Sequence, residues 1–284
     1  MQKSLLFYDL ETSGLDKTYD QVQQFAAIRT DMDLNELERH EIFVKINPDV
    51  IPSPQALLIH RVSIPTCQSI GLNEYEAMQR IHALMNTPNT ISIGYNTLGF
   101  DDAFLRFSFH RNLLTPYTHQ FANGCGRADL YPMIAMLRWQ EADCLTWPDI
   151  DGKPTLKLEH LNTANQLAQG QAHNALVDVE ATIALAKKCQ ASSASWDYLL
   201  GYFNKQEEQT RLLGLQPFEG LRQCHLALLL DGQFGSKHLY QCPVVGLGGH
   251  QYYRNQTLCC WRHLTHQDTT CAPTLMFGHT SIQR

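Results

Sequence analysis

Charge is scarce in this sequence, and basic charge scarcer. Charged residues make up 18% of the chain and the formal net charge is −6, so the broad basic coat of a duplex-DNA-binding protein is missing. That does not bar a nucleic-acid enzyme, because an acidic metal site carries negative charge that bound cations offset. The first apolar run, Leu5-Leu6-Phe7, is soon interrupted by Asp9 and Glu11. It is too short for a signal-peptide core and far too short for a membrane span. None of the nine cysteines forms a C-x-x-C pair; without an export signal they read as reduced thiols of a cytoplasmic protein. Internal repeats and low-complexity tracts are also lacking.

What is present is ordinary globular material. Hydrophobic residues make up 44% of 284 residues, and that length predicts one full domain plus something smaller. Apolar runs at Ser4–Tyr8, Gln24–Arg29 and Glu41–Ile46 predict strands, with a turn over Asp31–Asn35 and an antiparallel meander as the economical pairing. Pro48, Pro52 and Pro54 break regular structure. Tyr75, Met78, Ile81 and Met85 recur at helical spacing, a strand follows at Thr90–Tyr95, and a helix opens near Asp101. Further helices are predicted at 129–140, with Pro132 in the first turn, at 156–168 and at 174–189. This order indicates a mixed sheet covered by helices, an α/β protein. A small polar run at Ala191–Ser195 marks a boundary. From about residue 215 short apolar runs alternate with glycine turns, an all-β texture.

Three local patterns carry chemistry. Asp9 and Glu11 end the first strand, where alternation sends both to one face. Carboxylates held that close repel by several kcal/mol, roughly as Coulomb's law at intermediate dielectric implies, unless a cation lies between them. An acidic loop rim is the equal alternative. Asp101-Asp102 follows Gly94-Tyr95-Asn96 and opens a helix. Capping is the plainer role for either aspartate; if one serves the site, Asp101 beside Phe100 points inward and Asp102 toward solvent. Asp178 lies in a helix apolar on nearly all sides, which predicts burial and a need for a cation or hydrogen bonds. His173, just before that helix, is placed to swing over the same site, although one histidine among thirteen is by itself a surface residue.

As an ordered set, these patterns resemble the DEDDh exonuclease superfamily and, within it, the bacterial exonuclease I family. Phe7–Thr12, Gln24–Asp31, Gly94-Tyr95-Asn96 with Phe100-Asp101-Asp102, and Leu158–Leu161 with Ala164-Asn165 carry the resemblance over about residues 4–190; it is weaker across the tail. The resemblance implies an RNase H-like fold with a mixed five-stranded sheet in residues 1–191. It implies a helical linker over 192–214 and a partial SH3-like β domain over 215–284. It implies 3′→5′ hydrolysis of single-stranded DNA to nucleoside 5′-monophosphates, with Asp9, Glu11, Asp101 and Asp178 holding two Mg²⁺ or Mn²⁺ ions. His173 is then the general base, Glu11 and Lys157 contact substrate, and a single-strand-binding protein is the expected partner. Oxygen-only ligands suit those cations better than zinc, and an imidazole near neutrality suits the base.

Other readings stay open beside it: an exoribonuclease or proofreading-type nuclease on the same fold, or a single-strand-binding relative with poor turnover. Lys157 stands where the family leads one to expect arginine, which loses bidentate phosphate geometry. The family also continues beyond its SH3-like part into a helical domain. Both points give weak processivity as the expectation. In the tail, Cys259, Cys260, His263, His266 and Cys271 match no closed zinc-site spacing, and Tyr252, Tyr253 and Trp261 are read as packing residues rather than base-stacking ones.

Overall fold

The computed structural model describes residues 2–140, 142–168, 174–191 and 193–214, and beyond them 217–218, 221–230, 234–235, 238, 240–249, 252, 257–261 and 274–276. His173, His263, His266, Cys271 and Tyr253 lie outside the described residues. So do the side chain of Trp261 and much of the segment read as SH3-like.

The first sheet has five strands: β1 (Ser4–Thr12), β2 (Val22–Thr30), β3 (Glu36–Phe43), β4 (Thr90–Gly94) and β5 (Gly126–Asp129). Their spatial order is β3-β2-β1-β4-β5. β1 pairs antiparallel with β2 and parallel with β4; β2–β3 is antiparallel and β4–β5 parallel. The mixed sheet is the one expected. β1 is buried from Ser4 through Tyr8, and only then does exposure alternate, with Leu10 and Thr12 buried and Asp9 and Glu11 half-buried. An apolar run covered on both faces thus ends in two residues that share a face. All nine residues of β2 are buried.

Two strand expectations need correction. The third strand starts at Glu36 rather than Glu41, because its first half is a charged edge, Glu36-Leu37-Glu38-Arg39-His40, which apolarity does not reveal. β5, four residues with no apolar run, was not anticipated from the residues.

The helices of this part are α1 (Pro54–His60), α2 (Ile64–Ile70), α3 (Glu74–Met85), α4 (Asp101–Arg111), α6 (Leu158–Asn165) and α7 (Ala175–Gln190); α5 (Leu130–Gln140) falls for the most part in a second unit. Pro48 and Pro52 do lie outside regular structure, whereas Pro54 opens α1, as Pro65 lies in the first turn of α2. Leu6, Tyr8, Leu10, Phe25, Met78, Ile81, Phe104 and Phe109 form a core between the sheet and α3 and α4. Buried Arg29 ties four elements together, reaching Glu38, Ser4 Oγ (3.1 Å), Thr90 Oγ1 (2.6 Å) and the Leu84 carbonyl (2.9 Å).

Contacts divide the chain into two compact units: residues 1–131, 143–146 and 157–193, and residues 132–142, 147–156 and 194–284. The second holds the two-stranded hairpin β6 (Asp149–Ile150) and β7 (Lys153–Pro154) and the helices α8 (Ser193–Leu200) and α9 (Lys205–Leu213). It also holds a sheet of β8 (Pro217–Phe218), β9 (Leu221–Leu230), β10 (Gln241–Gly249), β11 (Thr257–Trp261) and β12 (Thr274–Met276). Ala227, Leu229, Phe234 and Val244 form its small core, with Cys242 and Cys259 packed against it. Among the described residues, no helix is long and apolar enough to cross a membrane.

Candidate active site

Asp9 and Glu11 stand on the face of β1 that also presents Ala26 and Gln24 of β2, their partners across the strand pair. α7 packs against β1 and β2 and brings Asp178 to them. Its first turn is capped by Asn174, whose side chain accepts from the Leu176 and Val177 amides. One carboxylate oxygen from each of Asp9, Glu11 and Asp178 lies within 4.8 Å of the others. Asp178 is half-buried rather than enclosed: α7 buries Val179, Thr182, Ile183 and Ala186 but opens at the site.

Asp101 reaches the same place from the far side of the sheet centre. Gly94 ends β4 where a Cβ would lie 2.2 Å from Thr97 Cγ2 and 2.6 Å from the Tyr8 carbonyl. Only glycine lets the chain fold back so closely on β1. Asn96 then takes a left-handed conformation (φ 63°), which asparagine tolerates. α4 begins five residues later, with Asp101 buried in its first turn. Asp101 lies beside the triad of oxygens and is the strongest charge acting on Asp9.

These carboxylates crowd one another, and the acidities of Asp9, Glu11 and Asp101 register it. Burial, then the charges of Asp101, Glu11 and Asp178, hold Asp9 well above the usual carboxylate range. Burial, then Asp178 and Asp101, push Glu11 up to about 8. Asp101 is also pushed up to about 8, by burial first and then by Asp129 and Asp102, against the opposing pull of backbone amides including that of Leu10. Two unit charges about 4 Å apart repel by roughly 4 kcal/mol at an effective dielectric of about 20. An all-oxygen donor set under that repulsion fits a hard divalent cation.

Asp102 does not face solvent as expected. It is 3% exposed and accepts from Arg127 (2.8 Å), His119 (3.3 Å) and Gln120 (3.2 Å). These donors, the Arg127 and His119 charges and that of Arg106 hold its carboxyl below the usual range despite burial. Lys157, 72% exposed at its side chain, occupies the N-cap position of α6 without a side-chain cap and pairs with Glu159 at 3.6 Å.

Two bracing residues were missed in the sequence. Asp129, at the end of the unanticipated β5, accepts from the amides of Asn96 (2.7 Å), Leu98 (3.0 Å) and Tyr131 (2.9 Å), fixing the loop that leads to Asp101. Its only signal was an aspartate directly before the helix at 130. Buried His60 accepts from the Val62 amide at Nδ1 (2.9 Å), which leaves Nε2–H to donate to the Thr12 carbonyl (3.2 Å), next to Glu11.

The exonuclease (RNase T) family model matches residues 6–186, more than half of the chain. The sequence is 34% identical over 260 residues to exodeoxyribonuclease I of Escherichia coli strain K12, covering 90% of this chain and 53% of that protein. The fold superposes on E. coli exonuclease I in complex with a dA16 oligonucleotide with a TM-score of 0.85 and 33% identity, covering 92% of this chain and 55% of that one. It superposes similarly on an ExoI/SSB-Ct complex (TM-score 0.83, 32% identity, 92% and 56%). The chain spans about half the length of these relatives. The ordered carboxylates, the mixed sheet that carries them and the match over residues 6–186 together make this chain a member of the exonuclease family.

Proposed function

We propose that the protein is a 3′→5′ exodeoxyribonuclease that hydrolyses single-stranded DNA to nucleoside 5′-monophosphates with two divalent cations, Mg²⁺ or Mn²⁺. The observation that carries this reading is the convergence of Asp9, Glu11 and Asp178 within 4.8 Å. The DNA complex of the E. coli relative supports the choice of single-stranded DNA.

Asp9, Glu11, Asp101 and Asp178 hold the cations, and Glu11 also borders the substrate. Bound there, the cations activate the attacking water and stabilise charge on the leaving 3′ oxygen. His173, in the segment just before α7, accepts the proton of the attacking water as general base. Lys157 contributes a phosphate contact as a point charge. Residues 1–191 are the catalytic part, with 192–214 a helical linker and 215–284 a partial SH3-like part. The ExoI/SSB-Ct complex supports a single-strand-binding protein as partner, and such a role fits the cytoplasm.

The test is a time course on matched 5′-labelled DNA and RNA oligonucleotides with Mg²⁺, repeated in excess chelator. DNA is expected to shorten from its 3′ end and chelator to stop it. Undiminished cleavage in chelator would sink the metal mechanism, and faster cleavage of RNA would move the assignment to an exoribonuclease.

A further inference from the structure

α4 begins without a cap: Phe100, at its N-cap position, makes no side-chain hydrogen bond to the first turn. Something else must set the rotation of that turn, and with it the direction of Asp101. Successive helical residues point about 100° apart, so Asp101 and Asp102 leave the turn on different sides. Asp102 runs into a cluster from three further places in the fold. Arg127 comes from β5, His119 and Gln120 from the segment between α4 and β5, and Arg106 from one helical turn further along α4, with Nε at 3.8 Å.

As a stabilising device this cluster is poor. A buried ion pair gains little over well-packed apolar side chains. His119 Nδ1 and Arg106 Nε are buried and lack hydrogen-bond partners among the described residues, and a partly satisfied buried network is costly. What the cluster does supply is direction. It grips the turn at the residue adjacent to Asp101, while Asp129 grips the loop before it.

We propose that Asp102 is a positioning residue for the metal site: clamped by Arg127, His119 and Gln120, it fixes the first turn of α4 so that the Asp101 carboxylate faces Asp9. This rests on the reading of Asp101 as a metal carboxylate. It adds that the adjacent acid works through geometry and touches neither metal nor DNA.

Mn²⁺ binding to the full chain, followed by electron paramagnetic resonance of the free ion, tests this directly. Outer partners of metal ligands are typically worth about 10–100-fold in affinity. Asp102→Asn is therefore expected to weaken Mn²⁺ binding about tenfold or more and to raise in proportion the metal concentration for half-maximal hydrolysis. KM for the oligonucleotide at saturating metal should stay within about twofold. Arg127→Met removes the clamp from the other side and should reproduce the loss, including where Asp102→Asn does not fold. Arg127→Lys should restore most of it. If both neutral variants melt earlier but bind Mn²⁺ within about twofold of the parent, Asp102 is structural only and the proposal is overturned. If Asp101→Ala itself leaves Mn²⁺ binding intact, the metal reading of Asp101 fails, a separate result that also removes the proposal.

Discussion

Two sets of acidic residues, built from the same chemistry a few ångströms from the same sheet, are treated in opposite ways. Asp102 and Glu74 each have cations from the chain. Asp102 meets Arg127 and His119, and Glu74, 8% exposed, meets Arg111 Nη2 at 2.5 Å and the Asn47 side chain at 2.8 Å. On the face of β1, Asp9, Glu11 and Asp178 bring carboxylate oxygens within 4.8 Å of one another, and the charge of Asp101 acts on Asp9. Despite burial, the His119 hydrogen bond and the Arg127 charge hold Asp102 below the usual carboxylate range. Burial and the neighbouring carboxylates instead hold Asp9 and Glu11 above that range. A carboxylate cluster is therefore read as a site where acids raise one another's pKa.

The largest effect expected from this contrast is on rate. Asp9→Ala or Asp178→Ala should lower hydrolysis by several orders of magnitude. The metal-free protein should melt no lower than the parent, because a repelling charge has been removed. Steady-state rates and thermal melts check both halves, and a variant with near-parental turnover would take its residue out of the site. His173→Ala separates proton transfer from cation holding. It should reduce turnover by about 10²–10⁴-fold while leaving Mn²⁺ and DNA affinity nearly unchanged. Activity within a few-fold of the parent across pH would make His173 a bystander.

Glu74, which pairs with Arg111, should answer in stability instead. Breaking a buried pair costs about 3–5 kcal/mol, and the Arg111 side chain is 32% exposed, so solvent screening brings Glu74→Ala to roughly 2 kcal/mol. Activity per folded molecule should be retained; a denaturation midpoint equal to the parent's would break the comparison.

The smallest effect concerns pH. Glu11 has its folded value raised from an ordinary 4.5 to about 8, so between those values the folded state binds more protons than the unfolded. Stability contributed there is present at low pH and falls as pH rises through that window. Metal-free protein should accordingly melt at lower temperature at pH 8 than at pH 6. Mn²⁺ should raise the melting temperature more at pH 8, where the ligands ionise readily. A flat profile in chelator would contradict the upward shift at Glu11.

How much of this was legible in the chain depends on whether periodicity carried it. D-x-E on a strand is read from alternation alone, and the helix of Asp178 from its apolar texture, so both could be placed. The helix opening near Asp101 could be placed too, but not the side to which Asp102 turns. That depends on Arg127 and His119, which fall 17 and more residues later and meet Asp102 only in the fold. β5 carries Asp129 in four residues, Gly126-Arg127-Ala128-Asp129, too short and too polar for any pattern to mark it. The charged half of β3 was hidden for the opposite reason: an edge strand advertises its protection, not its strandedness.

The pairing of β1 with β2 has one more consequence. Its register sets Asp9 opposite Ala26 and Glu11 opposite Gln24. A slip by one residue would carry both acids to the other face, into the layer of Leu6, Tyr8 and Leu10, and bring those apolar side chains to the site. A misthreaded chain therefore has no partial activity to offer, and during refolding the recovery of cleavage would trace correct strand alignment rather than mere compaction.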